Sequence, residues 1–170
     1  MRTSLLVDPP DGRYPPMTPE ALRRRGQQPS SFAQDGFESY VDFSTYDRCL
    51  TRGLPGAMSP GFYNHNYQIV QTPDHVAILV EMIHDARIVP LDGRPHLASA
   101  VEQWMGDSRG HWEGNTLVVE TTNLPQSDRV VVERFTRIDA ATIDYRINVA
   151  DPAEWTVPWT AAMPMSPTDG

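Results

Sequence analysis

From Asn66 onward the sequence is a series of short runs rich in β-branched and aromatic residues, each closed by a compact turn signal. This spacing is that of consecutive antiparallel strands, since an amphipathic helix would need a longer run with an apolar residue every third or fourth position. Thr72-Pro73-Asp74 divides residues 66–71 from 75–82, and Asp92-Gly93, a type I′ pair, follows 86–91. Gly114-Asn115 divides 109–113 from 116–122, Asp139-Ala140-Ala141 divides 130–138 from 142–149, and Asp151-Pro152 precedes a last run at 155–163. Sequential hairpins of this kind make a meander.

Two of the runs fix how the sheet is covered. Ile143, Tyr145, Ile147 and Val149 alternate with Thr142, Asp144, Arg146 and Asn148, so one face of that strand is buried and the other is wet. In 75–82 both parities are apolar, with Val76, Ile78, Val80 and Met82 on one face and Ala77, Leu79 and Ile83 on the other, which predicts cover on both sides. The fold expected is mainly β: an antiparallel meander of about seven or eight strands forming a calycin-like barrel or strongly curled sheet, with a flatter sandwich as the alternative.

The first 60 residues differ. They hold half of the 16 prolines, at 9, 10, 15, 16, 19, 29, 55 and 60, each of which removes a backbone donor and fixes φ. We therefore divide the chain into a Pro-rich arm at 1–65, with short helices and packed on the core, and an antiparallel β-domain at 66–170, together one folding unit. Thr18-Pro19-Glu20 reads as N-cap, first-turn proline and first-turn acid of a helix ended by Gly26, and a second turn spans 45–50. A helix is also expected over 97–105, crossing the opening of the sheet.

Composition excludes several chemistries. All 14 basic residues are arginine, so Schiff-base, pyridoxal-phosphate and P-loop enzymes lack their lysine. Cys49 is the single cysteine, which rules out an internal disulfide and cysteine-rich metal centres, and the five histidines show no metal-ligand spacing. No cofactor is called for. A net charge of −8 has the wrong sign for binding a phosphate backbone, and the Arg23-Arg24-Arg25 triplet fits the last turn of the short helix. The apolar run Val76-Ala77-Ile78-Leu79-Val80 is far short of the roughly 20 residues that span a bilayer, and Asp8-Pro9-Pro10 interrupts the start before a signal-peptide core forms. The expected partner is a small molecule, with neither nucleic acid nor a membrane span, and a homo-oligomer is compatible with the sequence.

Candidate chemistry concentrates in a few places. Gly106-Asp107-Ser108-Arg109-Gly110 matches the nucleophile-elbow pattern, but a strand follows where a helix is required. Glu81 and Asp85 share a parity on a run otherwise apolar, with His84 on the opposite parity. They are either ion-paired with Arg87, Arg134 or Arg137, or are acid–base groups facing the interior. His111 and Glu113 share one face of their strand, with Arg109 two residues earlier available to stabilise an anion. Tyr67, Trp104, Trp112, Tyr145 and Trp159, with Arg87, are candidates to line and anchor an apolar pocket, since ligand sites are largely aromatic with a few polar groups.

The run Gly106-Asp107-Ser108-Arg109-Gly110-His111-Trp112-Glu113-Gly114-Asn115-Thr116-Leu117-Val118-Val119-Glu120-Thr121-Thr122-Asn123 resembles a large family of uncharacterised bacterial proteins. Asn66-Tyr67-Gln68-Ile69-Val70-Gln71-Thr72-Pro73, Ile83-His84-Asp85-Ala86-Arg87-Ile88, Leu91-Asp92-Gly93-Arg94-Pro95-His96, Glu133-Arg134-Phe135-Thr136-Arg137 and Pro158-Trp159-Thr160-Ala161 are similar to it as well. The resemblance implies no activity. It implies a periplasmic or secreted location, a signal peptide and a further β segment preceding this region, and a continuation beyond it. The leading expectation is a binder of a small, largely apolar molecule in a β-barrel interior. A cofactor-independent lyase or isomerase using Glu81, His84, Asp85, Arg109, His111 and Glu113 is the second, and a cell-envelope interaction module the third.

Overall fold

The computed structural model describes residues 4–27, 38–61 and 63–168. Pro29 and the first three residues, on which the readings of the arm and the chain start partly rest, lie outside them. Among the described residues the fold is mainly β, with nine strands and one α-helix, and every strand pair is antiparallel. Strands β2 (Tyr67–Gln71), β3 (His75–Val80) and β4 (Ala86–Pro90) form a three-stranded sheet. Strands β5 (Asp107–Glu113), β6 (Thr116–Thr122), β7 (Val130–Arg137), β8 (Ile143–Ala150) and β9 (Trp159–Met165) form the second meander. β1 (Leu6–Asp8), which the sequence pattern does not announce, adds to the outer edge of β9. Among the described residues these ladders make two sheets and close no barrel.

The two sheets share one core, and period two decides which side chains enter it. In the six-stranded sheet the inward positions form rows across the strands: Trp112, Leu117, Phe135, Tyr145 and Met163 in one, Gly110, Val119, Glu133, Ile147 and Ala161 in the next, and Ser108, Thr121, Val131, Val149 and Trp159 in the third. Opposite them stand Tyr67, Ile69 and Gln71 of β2, Val76, Ile78 and Val80 of β3, and Arg87 and Val89 of β4. Leu54, Ala57 and Met58 of the arm are buried in the same core. At Gly110 the sheets approach so closely that a Cβ would lie 2.8 Å from a Val89 methyl and 2.9 Å from a Leu91 methyl.

Several expectations are corrected. β3 ends at Val80, because Glu81 to Asp85 form a tight turn in which Ile83 and His84 take left-handed backbone (φ 63° and 52°) and the Val80 amide bonds to the Asp85 carbonyl at 2.8 Å. The parity assigned to Glu81, Met82 and Asp85 is therefore lost. The second face of β3 is not covered either: Leu79 is 40 % exposed. No helix forms over 97–105. There Asn123 Nδ2 donates to the carbonyls of Ala98 and Val101 at 2.8 and 3.0 Å, and Leu97 and Val101 stay exposed, so the segment has neither free carbonyls nor a buried face to support a helix. Asp92-Gly93 opens this long excursion rather than a hairpin.

The helix α1 (Pro19–Gln27) has the expected start, with Thr18 Oγ1 accepting the Ala21 amide at 3.1 Å, but it continues through Gly26. Thr18 also donates its amide to Glu154 and its hydroxyl to Ala153, and Tyr14 stacks on Trp155, which fastens this part of the arm to the β8–β9 connection. β9 starts at Trp159 rather than 155, since Glu154 and Trp155 turn back onto the Asp151 carbonyl. No described helix is long and apolar enough to cross a membrane.

Gly110→Val is expected to lower unfolding stability by about 1–3 kcal/mol in urea titration, because the fully buried Val89 has no room to yield. An unchanged midpoint would show that the sheets are not in contact there.

Candidate ligand-binding site

The interior has two chemically distinct parts. Towards β4 it is polar. Arg87 projects from β4 into the core and makes a bidentate pair with Glu133 of β7, its Nη1 donating to Oε1 at 3.0 Å and its Nη2 to Oε2. The side chains are 1 % and 0 % exposed. Tyr145 Oη donates to Glu133 Oε1 at 2.8 Å, and Ser108 and Thr121, whose hydroxyls bond each other at 2.8 Å, accept from Arg87 Nη2. Burial pulls the Arg87 pKa down, but the adjacent Glu133 carboxylate outweighs it and leaves the guanidinium above its ordinary value. Burial, and then the Glu133 charge, raise the Tyr145 phenol well above its usual range, so it remains a donor.

Towards the hairpin ends the interior is apolar and open. A cavity of about 1080 Å³ lies between Tyr67, Ile69, Val76 and Ile78 of the small sheet and Trp112, Leu117, Phe135, Ile143 and Met163 of the large one. Its mouth is set by the turns at Asn115 and at 137–142, by Gln71, and by residues 164–168 that follow β9. Tyr67 marks one wall, with its hydroxyl on the Ala57 carbonyl at 3.2 Å and its pKa raised chiefly by burial. His65, also at the cavity, shares a 3.1 Å contact with Arg52. Burial first, then that guanidinium, hold its pKa below the ordinary histidine value.

Of the aromatic and anchoring candidates, Tyr67 and Trp112 line this cavity. Arg87 and Tyr145 are in the polar part, Trp159 is a buried core residue, and Trp104 is 51 % exposed on the long excursion. The acid–base candidates fall into two separate groups, one on the turn after β3 and one on the outer face of β5. Glu81 is exposed and accepts from Asn66 Nδ2 at 2.8 Å, Asp85 accepts from Thr51 Oγ1 at 3.0 Å, and His84 is exposed on the same turn. Arg109, His111 and Glu113 occupy the outer parity of β5. His111 Nε2 contacts Glu113 Oε1 at 3.2 Å, and Arg134 bonds the other Glu113 oxygen at 2.6 Å. Hydrogen bonds from Arg134 and then His111 hold Glu113 below the usual carboxylate range. The expected partnering of Glu81 or Asp85 with Arg87, Arg134 or Arg137 does not occur, since the first takes Glu133, the second takes Glu113, and Arg137 bonds the Asp139 carbonyl.

Ser108 of the elbow-like pattern is buried near the start of β5 and bonded to Thr121, so it is no exposed nucleophile. Two features went unread in the sequence. Glu133 could have been found, because it shares parity with Val131 and Phe135 and is an acid at an inward position. The second is a cluster around the buried Asp107, which binds His96 Nδ1 at 2.9 Å, the Leu97 amide at 3.0 Å and Arg109 at 2.7 Å, while His96 Nε2 reaches Glu120 at 3.2 Å. Period two puts Asp107 and Arg109 on one face with Glu120 beside them, but His96 joins them only through the excursion. Among the described residues no group of three or more His, Cys, Asp or Glu could hold a metal ion. Comparison of the chain with protein-family models, curated proteins and solved structures finds no match.

Arg87→Met and Glu133→Leu should each cost about 3–5 kcal/mol, while the double variant recovers most of the loss, since a lone buried charge is worse than none. A double variant no more stable than either single one in denaturant titration would contradict this. For Asp107, burial raises the pKa, but the bonds from Leu97, His96 and Arg109 outweigh it and leave the carboxyl low. Its stabilisation is therefore complete above the unfolded value near ~4 and is lost as pH falls through the lower folded value. Asp107→Asn should flatten acid destabilisation below about pH 4, read as thermal midpoint against pH.

Proposed function

We propose that the protein binds a small, largely apolar molecule in the cavity between its two sheets. The observation that supports this reading is the cavity itself: space of about 1080 Å³ walled by aliphatic and aromatic side chains, with polar residues such as Asn66, Gln71, Asn115 and Thr142 also in its lining, where a core without a ligand would be filled by side chains. The barrel enclosure of the calycin type enters only in a looser sense, as two curved antiparallel layers around a shared interior. The acid–base alternative draws no support from the positions of Glu81, His84, Asp85, Arg109, His111 and Glu113, which share no concave site. The interaction-module alternative has one favourable observation, the exposed outer face of the small sheet, where Val70, Leu79 and Ile88 are 44 %, 40 % and 58 % exposed.

Fluorescence titration with the uncharged probe N-phenyl-1-naphthylamine tests the reading. We expect saturable binding that Ile69→Trp, which fills the cavity, weakens at least about tenfold, and that Ile88→Trp, on the opposite face of the same sheet, leaves unchanged. Equal loss in both variants, or no saturable binding, would overturn the proposal.

A further inference from the structure

We infer that the molecule taken by the cavity is an amphipathic carboxylate, with a single anionic head that meets Arg137 at the mouth and an apolar body between the sheets. This inference rests on the binding reading above and adds the chemical class of the ligand.

The argument starts from how the arginines of the large sheet and its surroundings are used. Arg134 pairs with Glu113, Arg146 with Asp144, Arg109 with Asp107, Arg129 with Asp151 and Arg87 with Glu133. Arg137 alone among the arginines of β5 to β9 has no carboxylate partner among the described residues. Its Nε donates to the Asp139 carbonyl at 3.1 Å, which leaves both terminal nitrogens without a hydrogen bond among the described residues. It is also the one arginine lining the cavity among the described residues. A guanidinium presents paired donors in a planar fork, the geometry that a carboxylate meets bidentately.

The base of this side chain is fixed. Asn115 Nδ2 donates to the Arg137 carbonyl at 2.8 Å and the Arg137 amide donates to the Asn115 carbonyl at 3.3 Å, so the β5–β6 and β7–β8 turns are tied together at the mouth. The head-group donor is thus an exposed side chain whose backbone is tied to the neighbouring turn, at the end of an apolar wall formed by Leu117, Phe135 and Ile143. Asp139 is the one carboxylate lining the cavity among the described residues. Its Oδ1 accepts the Ala141 amide at 2.7 Å, which commits it to the turn, yet its charge still limits the mouth to a ligand with one negative group. The net charge of −8 acts in the same direction, against polyanions. A cationic head would meet the unpaired guanidinium, and a neutral head would leave it without its best acceptor.

The test is isothermal titration of the full chain with dodecanoate, dodecanol and dodecylamine, each below its aggregation concentration. We expect dodecanoate to bind at least about tenfold tighter than dodecanol, close to 1.4 kcal/mol. Dodecylamine should bind most weakly. Arg137→Gln should reduce the carboxylate-to-alcohol ratio to about twofold or less, whereas Arg134→Gln, outside the cavity, should leave the ratio as it is. Equal affinity for acid and alcohol, tighter binding of the amine, or a ratio that survives Arg137→Gln would overturn the assignment of the head group while leaving the binding reading in place. Failure of all three compounds together with the uncharged naphthylamine probe would remove both.

Discussion

The buried pair of Arg87 and Glu133 is the constraint around which the rest of the interior is arranged. A guanidinium and a carboxylate withdrawn from water cost several kcal/mol each unless nearly all their hydrogen-bonding capacity is met inside the protein. Here the partners come from both sheets, and of the buried guanidinium nitrogens Nε alone has no acceptor among the described residues. Arg87 belongs to the small sheet, while Glu133, Tyr145, Ser108 and Thr121 belong to four neighbouring strands of the large one. A one-residue slip in the pairing of β4 within the small sheet, or of β7 within the large one, would turn Arg87 or Glu133 outward and leave the other unpaired. The pair therefore contributes orientation more than net stability.

That orientation divides the interior. The small sheet has three strands against six, so it cannot cover the whole inner face of the large one. With Arg87 clamped over Glu133, and β4 brought against β5 at Gly110, the uncovered part falls at the opposite side, beneath β2 and along the Leu117, Phe135 and Met163 row. The arm fills one end with Leu54, Ala57 and Met58, and the other end remains the cavity. Polar groups that must be satisfied and apolar surface left unfilled are thus two consequences of one anchoring contact.

Much of the architecture was legible because period two is a strong signal. The strands from 66 to 71, 116 to 122, 130 to 138 and 142 to 149 were read within a residue or two, and the Ile143 to Val149 alternation gave the correct buried face. What failed depended on distant partners. A helix over 97–105 was expected from local composition, but the Asn123 side chain takes its carbonyls from the far end of β6. Glu81, His84 and Asp85 were placed on a strand that left-handed backbone at Ile83 and His84 ends, and no local rule anticipates φ > 0 at an isoleucine. Tyr67 and Trp112, pocket residues by their aromatic character, line the cavity, whereas the sequence marks Arg137 only as an ion-pair partner, because whether an arginine is left unpaired depends on where every neighbouring carboxylate goes.

The most direct measurement of the central claim, that an apolar space beside the Arg87–Glu133 clamp accepts a ligand, is methyl NMR of the Ile, Leu, Val and Met groups during addition of an uncharged aromatic probe. Shifts concentrated at Ile69, Ile78, Leu117 and Met163, with Ile88 and Val132 on the outer faces unmoved, are the predicted result. Shifts centred on Ile88 and Leu79, or none at the interior methyls at saturating probe, would contradict it.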